Sequence, residues 1–179
     1  QTIGFTLYLE MLDRAITALK DGKKLTLDTS LESGIEVNMY LPALIPDDYL
    51  PDVNMRLTLY KRISDCKTSR DLHELQVEMI DRFGLLPETT KTLFKLAEIK
   101  QIGTTLGLKK IEAGPKGGRL QFTSSTPVEP MTIIKMVQTE PDIFRLQNND
   151  QLSFNLPLND AENRFMFISN VFDKLLAKP

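Results

Sequence analysis

The sequence predicts an α+β protein, in which a helical part is followed by a small antiparallel sheet with helices on one face. Two observations support this fold class. Between Asp52 and Gly107, apolar residues recur at the spacing of amphipathic helices. Beyond Gly107, short alternating segments flank glycine-rich and asparagine-rich turns, which is typical of β-hairpins, and helical segments follow each hairpin.

The composition excludes several classes of protein. The 179 residues include one His and one Cys, too few for an internal disulfide or a closed zinc site. Lys and Arg total 22 against 24 Asp and Glu, so nucleic-acid binding is left to local patches. No apolar run in the sequence is long enough to span a membrane, and we expect no secretory leader. Because the chain starts at Gln1, we expect it to be a piece of a longer protein.

In the first forty residues the sequence predicts a helix, then a linker, then a strand. Residues 4–21 have helical periodicity, and Gly22 ends that helix. Residues 23–34 lack periodicity, which indicates a linker and a domain boundary. Residues 35–40 alternate apolar and polar side chains, as a strand does.

Three helices are predicted next. Prolines exclude a helix until Asp52, which can cap a helix from 53 to about 64. Thr68 or Ser69 can cap the second helix, which ends at Gly84. Pro87 begins the third, which ends at Gly107. Their predicted inward stripes are Val53, Leu57, Tyr60 and Ile63; Leu72, Leu75, Met79 and Phe83; and Leu93, Leu96, Ile99 and Ile102.

The remaining chain reads as hairpin, helix, hairpin, helix. Strands are predicted at 110–113 and 119–123 around a Gly-Pro-Lys-Gly-Gly turn, and at 143–147 and 151–156 around Asn-Asn-Asp. One helix is predicted at 130–138. A last helix runs from Asp160 to about Ala177, with Asn159 and Glu162 at capping-box spacing.

No motif for catalysis is found in the sequence. The stretch 103–110 lacks the Gly-Lys-Ser/Thr ending of a phosphate loop and closes a helix where such a loop must open one. His73 has no Ser or Cys nucleophile at a recognisable spacing, and Cys66 is interpreted as a bystander thiol. We therefore expect no catalytic residue and no metal site, and we do not expect this fragment to be an enzyme.

Charge placement on the second predicted helix is more informative. Four carboxylates fall within an arc of roughly 80° beside its apolar face. They are Asp71, Glu74, Glu78 and Asp81, called here the acidic row. A basic partner surface would engage such a row. The alternative is an ordinary solvated face, because Arg70 can pair with Glu74, and Glu78 with Arg82, at i,i+4.

A basic stretch follows and leaves a second interpretation open. Its most prominent members are Lys91, Lys95, Lys109 and Lys110. These lysines are the candidate patch for a DNA-binding accessory module. Against that interpretation, Phe94 is the only aromatic residue in the stretch, so the stacking platform of single-strand binders is missing.

Three stretches carry a resemblance to a known family. They are residues 4–12, GFTLYLEML; residues 45–52, IPDDYLPD; and residues 80–87, IDRFGLLP. With Gly107 and Gly117-Gly118 at fitting places, they resemble the C-terminal region of the bacterial transcription-repair coupling factor (Mfd) family up to about Phe122. Beyond Phe122 the pattern matches better than the residues do.

The resemblance implies a two-part organisation. Residues 1–34 would be the tail helix of a translocase module and a linker. Residues 35–179 would be the C-terminal regulatory domain, with a helical subdomain over about 52–107 and a sheet–helix subdomain over about 108–179. In such proteins ATP and Mg²⁺ bind upstream, in the module that hydrolyses ATP and moves on DNA, so the resemblance implies no cofactor for this fragment. The resemblance also implies that the protein is located in the bacterial cytoplasm.

The resemblance further implies an autoinhibitory role. In the family this domain docks on an N-terminal module similar to UvrB, masks the surface that recruits UvrA, and helps to repress the motor. Engagement with stalled RNA polymerase and double-stranded DNA releases it, which links transcription to nucleotide excision repair. The docking is polar, and Glu78 and Asp81 match the family's acidic positions. Asp71 and Glu74 extend the row by geometry alone.

Overall fold

The structure, a computed structural model, describes residues 34–177. The helix expected at 4–21 and nearly all of the linker expected at 23–34 lie outside the described residues. The described part confirms the α+β class, with five helices and a five-stranded sheet. It forms two compact units, residues 42–98 and residues 35–41 with 99–177. Among residues 34–177, every helix is too short or too polar to cross a membrane.

Helices α1 (Val53–Asp65), α2 (Ser69–Phe83) and the first part of α3 (Glu88–Thr105) build the first unit. The N-terminal caps of α1 and α2 confirm the predictions. The Asp52 carboxylate accepts a hydrogen bond from the Met55 backbone N–H at 3.0 Å, and Thr68 caps α2 in a capping box with Asp71. Each cap satisfies a backbone donor that has no partner inside its helix.

The inward face of α1 differs from the predicted stripe. Tyr60 and Ile63 are buried, as expected. Val53 and Leu57 are exposed, and Leu59 is buried in their place. Val53 is the first residue of the helix, so it lies at the end of the packed face. The buried face is therefore rotated towards Leu59, and the predicted stripe was wrong at two of its four positions.

The proline-containing segment before α1 belongs to the core of the first unit although it has no regular structure. Ala43, Ile45 and Leu50 are buried with the helices. The Ile45 N–H donates to the Tyr60 hydroxyl oxygen at 2.6 Å, and the Thr90 hydroxyl donates to the Leu44 carbonyl at 3.0 Å. These bonds pair backbone groups that would otherwise be buried without partners.

The second unit contains a five-stranded sheet in the order β1-β2-β3-β5-β4. The strands are β1 (Glu36–Asn38), β2 (Leu108–Gly114), β3 (Gly117–Phe122), β4 (Phe144–Gln147) and β5 (Gln151–Asn155). The two predicted hairpins supply the four antiparallel strands. β1 joins them as a parallel edge strand beside β2, a pairing that the sequence analysis did not assign.

One face of the sheet is buried and the other is polar. Ile111 pairs with Leu120, and Leu120 with Leu152; all three are buried. The neighbouring pair, Glu112 and Arg119, lies on the opposite face and is partly exposed. Gly118 is required between β2 and β3, because a Cβ there would lie 1.8 Å from the Glu112 carbonyl oxygen.

Helices α4 (Pro130–Thr139) and α5 (Ala161–Leu176) complete the second unit. Phe167 of α5 contacts the rings of Phe144 and Phe154 on the sheet, with ring centroids 6.0 and 4.9 Å apart. The predicted cap of the last helix was wrong by one residue. Asp160, not Asn159, accepts from the Asn163 N–H at 2.8 Å. Glu162 therefore lies at the second helical position, and no capping box forms at Asn159.

Arg164 is a buried charged residue in the same unit. Its guanidinium donates to the Met39 carbonyl at 2.7 Å and to the Leu158 carbonyl at 3.1 and 2.8 Å. Burial lowers the pKa of Arg164, although the charge of Asp160 opposes that shift. The side chain joins residues 35–41 to the start of α5, and we assign it a structural role.

Candidate docking surface on the second helix

The acidic row lies on α2 because of the way that helix buries its apolar residues. Leu72, Leu75 and Met79 face the core of the first unit. The side chains of the acidic row lie on a different arc of the same helix. The four carboxylates differ in their partners: Asp71, Glu74 and Glu78 have them, and Asp81 has none among the described residues.

Asp71 takes part in the N-terminal cap of its own helix. Its carboxylate accepts hydrogen bonds from the backbone N–H groups of Lys67 and Thr68 at 3.1 and 2.9 Å. Hydrogen bonds with Thr68 lower the pKa of Asp71. The carboxylate is therefore ionised and exposed, but its first role is to satisfy the helix terminus.

Glu74 forms the i,i+4 pair that the sequence allows. The Arg70 Nε lies 2.8 Å from the Glu74 carboxylate, and both side chains are largely exposed. An exposed pair of this kind contributes only about 0–1 kcal/mol. Glu74 can therefore exchange Arg70 for another cation at little cost.

Glu78 is held by two arginines. Arg62, on α1, donates through both terminal nitrogens at 2.7 and 2.6 Å, and Arg82 donates at 3.1 Å. Hydrogen bonding to Arg62, with a smaller contribution from Arg82, lowers the pKa of Glu78 to about 2. Sequence spacing predicted the Arg82 pair but missed Arg62, since that residue is on another helix.

Asp81 differs from the other three. Its side chain is exposed, and it forms no ion pair or hydrogen bond with any part of the chain that the structure describes. Of the acidic row, Asp81 is therefore the carboxylate that a partner can reach without displacing an existing contact. The row as a whole carries less uncompensated charge than its four carboxylates suggest, because Arg62, Arg70 and Arg82 offset part of it.

Exposed apolar side chains lie on α2 and just after it. Val77 and Ile80 are on α2, and Leu85 follows the end of that helix with 85% of its surface accessible. The sequence analysis did not select these residues. Leu85 was within the quoted IDRFGLLP motif, but no periodicity there distinguishes an outward Leu85 from an inward Leu86.

The four lysines of the alternative interpretation are divided between the compact units. Lys91 and Lys95 belong to the first unit, and Lys109 and Lys110 to the second. Lys91 pairs with Glu88, Lys109 with Asp150, and Lys110 with both Glu36 and Glu112. Carboxylates thus offset much of this basic charge.

Other residues considered from the sequence have ordinary environments. His73 is exposed on α2. The Cys66 thiol donates to the Arg62 carbonyl at 3.2 Å, and burial raises its pKa, which disfavours the reactive thiolate. Within residues 34–177, no three His, Cys, Asp or Glu side chains come together in a group that could hold a metal ion.

Comparisons with known proteins agree on one family. The model of a family described as the TRCF domain matches residues 39–133. The chain is 39% identical over 175 residues to the transcription-repair-coupling factor of Escherichia coli, covering 98% of the chain and 15% of that protein. It is 39% identical over 177 residues to that of Haemophilus influenzae, covering 99% and 15%.

The fold has a solved counterpart. A crystal structure of the C-terminal domain of transcription-repair coupling factor matches with a TM-score of 0.69 at 20% sequence identity. The match covers 80% of this chain and 92% of the other. The chain thus spans nearly all of a solved domain, but only 15% of the length of each of the two curated relatives.

Proposed function

The chain belongs to the TRCF-domain family, and from that premise we propose that it is a non-catalytic, autoinhibitory C-terminal domain of an ATP-dependent DNA translocase. The parent protein couples transcription to nucleotide excision repair. Its ATP and Mg²⁺ bind in the upstream translocase module, and this domain contributes no catalytic residue.

The proposed partner is the UvrB-like N-terminal module of the same protein. Docked there, the domain masks the surface that recruits UvrA and helps to repress the motor. Release follows when the parent engages RNA polymerase and double-stranded DNA. The observation that supports this proposal most is the exposed carboxylate of Asp81, which lacks an ion pair among residues 34–177. The family resemblance of the sequence implies that this position takes part in docking.

The other members of the acidic row have graded roles in this proposal. Glu74 exchanges a weak pair with Arg70 for a pair with the partner. Glu78 stays between Arg62 and Arg82, so a partner cation must share its carboxylate. Asp71 adds negative charge while it caps the helix.

The expected strength of such a contact suits a releasable inhibitor. An exposed ion pair contributes about 0–1 kcal/mol, and coupling between sites typically amounts to about 1–3 kcal/mol. A few such ion pairs together can therefore supply a coupling free energy of about 1–3 kcal/mol. A contact of this strength can still be released quickly. Because the pairs are exposed, added salt weakens the docking.

The proposal is tested by titrating this chain with the isolated N-terminal module of its parent. We expect Asp81→Lys to lower the affinity at least about tenfold, because it places a cation against a basic surface. Asp142→Lys is the matched control, since Asp142 is exposed on the second unit and forms no ion pair within the described range. Equal affinities for the wild type and Asp81→Lys would overturn the docking proposal.

Glu78 needs a different substitution. Lysine at this position would oppose Arg62 and Arg82, and the resulting strain would confuse folding with docking. Glu78→Gln removes the charge and keeps the shape. We expect it to weaken docking less than Asp81→Lys does, because the native charge is already offset by the two arginines.

A further inference from the structure

Three arginines of the first unit already bind two carboxylates of the acidic row. Arg62 and Arg82 pair with Glu78 at 2.6 and 3.1 Å. Arg70 pairs with Glu74 at 2.8 Å. At each of these two carboxylates, a cation of a docking partner must therefore compete with a cation of this chain.

The contact of Arg62 with Glu78 is the most complete of these pairs. Arg62 lies on α1, and its two terminal nitrogens donate to separate oxygens of the Glu78 carboxylate at 2.7 and 2.6 Å. Two parallel charge-assisted hydrogen bonds of this kind are the strong arrangement for an arginine and a carboxylate. The Glu78 side chain nevertheless keeps 38% of its surface accessible, so a partner can still reach it.

The local charge around Glu78 is positive, although Glu78 itself is acidic. Two guanidinium groups, of Arg62 and Arg82, flank the single carboxylate. A basic partner surface is therefore repelled at this point unless an arginine gives up the carboxylate. The pair of Arg70 with Glu74 has no net charge, so it offers a basic surface less attraction than a free carboxylate would.

We propose that Arg62 and Arg70 are internal competitors of the docking partner, which hold the carboxylates of Glu78 and Glu74 in the free domain and thereby weaken its docking. The inference rests on the proposed function, because it states what regulates the affinity of the same surface. Docking exchanges the internal pairs for pairs with the partner, and release restores them. Neither carboxylate is left unpaired in the released domain, which lowers the cost of release.

Competition by Arg62 has an effect opposite in sign to that of a supporting role. If Arg62 only oriented Glu78 for the partner, removing its charge would weaken docking. If Arg62 competes for Glu78, removing its charge frees the carboxylate and strengthens docking. A loss of folding would also weaken docking, so a gain in affinity distinguishes competition from both of the other effects.

The experiment titrates this chain with the isolated N-terminal module of its parent at about 0.1 M and about 0.5 M salt. Arg62→Gln should raise the affinity about three- to fivefold at the lower concentration, as expected for the release of one exposed ion pair. At the higher concentration the gain should mostly disappear, because salt screens exposed charges. Arg62→Lys should lie between the wild type and Arg62→Gln, since lysine keeps the charge but lacks the planar fork that binds both oxygens.

A second variant tests the same competition at Glu74. Arg70→Gln should raise the affinity about twofold, a smaller gain because the Arg70 side chain is 86% exposed and its pair is weaker. The control is Arg145→Gln, which removes the same charge from an exposed position on β4. Arg145 belongs to the second unit and forms no ion pair with the described residues, so its replacement should leave the affinity unchanged.

Each outcome decides the inference. An unchanged or lower affinity in a folded Arg62→Gln chain, with a loss for Asp81→Lys, would overturn the competition and leave the proposed function standing. If Arg62→Gln does not fold, Arg70→Gln decides by the same criterion. An equal gain for Arg145→Gln would also overturn the inference, since the effect would then follow net charge alone. If the wild-type chain does not bind the module at all, both the proposed function and this inference fail.

Discussion

Glu78 shows how one side chain can serve both the fold and the proposed docking surface. Its carboxylate joins α1 to α2 through Arg62 and also pairs with Arg82 on its own helix. Hydrogen bonding to Arg62 favours the ionised form and lowers the pKa of Glu78 to about 2, from an ordinary value of 4.5. The stability that this carboxylate contributes therefore depends on pH.

The direction of that dependence follows from the lowered pKa. Glu78 stabilises the fold fully above about pH 4.5, and the contribution is lost as the pH falls towards about 2. We expect Glu78→Gln to make the free energy of unfolding fall less steeply across that interval, measured by urea unfolding. Arg62→Gln should likewise make the free energy of unfolding fall less steeply across that pH interval. A wild-type slope in both variants would show that the Arg62 pair does not form in solution.

Arg164 illustrates the cost of losing a buried cation that serves three backbone hydrogen bonds. Replacement by methionine keeps much of the volume but leaves the Met39 and Leu158 carbonyls without these donors. We expect Arg164→Met to lower the free energy of unfolding by about 2–4 kcal/mol. Arg145→Met, at an exposed position on β4, should change it by less than about 0.5 kcal/mol. Similar values for the two variants would contradict the assigned role of Arg164.

The turn after α2 is the element on which the exposed Leu85 depends. A Cβ at Gly84 would meet no other atom within 4 Å, so substitution there tests backbone conformation alone. Because φ at Gly84 is 92°, we expect Gly84→Ala to cost about 1–3 kcal/mol of stability in thermal or urea unfolding. Gly34→Ala, which also has open space around it, is the control and should be nearly neutral. Equal stabilities of the Gly84→Ala and Gly34→Ala variants would show that the backbone of the turn can change conformation to accommodate alanine.

Helix boundaries could be predicted from the sequence because their signals are local. Asp52 and Thr68 cap the helices that follow them, as their positions predicted. The rotation of α1 could not be predicted, since Val53, Leu57 and Leu59 are all apolar and the neighbouring helices decide which of them is buried.

Contacts between distant parts of the chain also could not be predicted from the sequence. The strand predicted at 35–40, observed as β1 (Glu36–Asn38), has a clear alternation. Its parallel pairing with β2 joins residues such as Val37 and Ile111 and leaves no local signal. The same reason explains why the acidic row was found and the pairing of Arg62 with Glu78 was not. Helical spacing places the carboxylates on one arc, whereas α1 supplies the cation.

Among residues 34–177, the placement and pairing of the lysines count against the DNA-binding alternative. The four lysines of the alternative interpretation lie in two units, and three of them pair with carboxylates. We expect this chain to bind duplex DNA weakly and with a shallow dependence on salt, as measured by fluorescence anisotropy at two ionic strengths. Tight binding with a steep salt slope would instead support a DNA-binding accessory module.

The proposed docking acts within a longer parent protein, because this chain spans 15% of the length of its two curated relatives. The direct test is the affinity of the full-length parent for UvrA, with and without Asp81→Lys and with Asp142→Lys as the control. If the domain masks the UvrA-binding surface through the acidic row, Asp81→Lys raises that affinity by about 5–150-fold, the usual range of coupling between sites. An unchanged UvrA affinity in a folded Asp81→Lys parent would contradict the account.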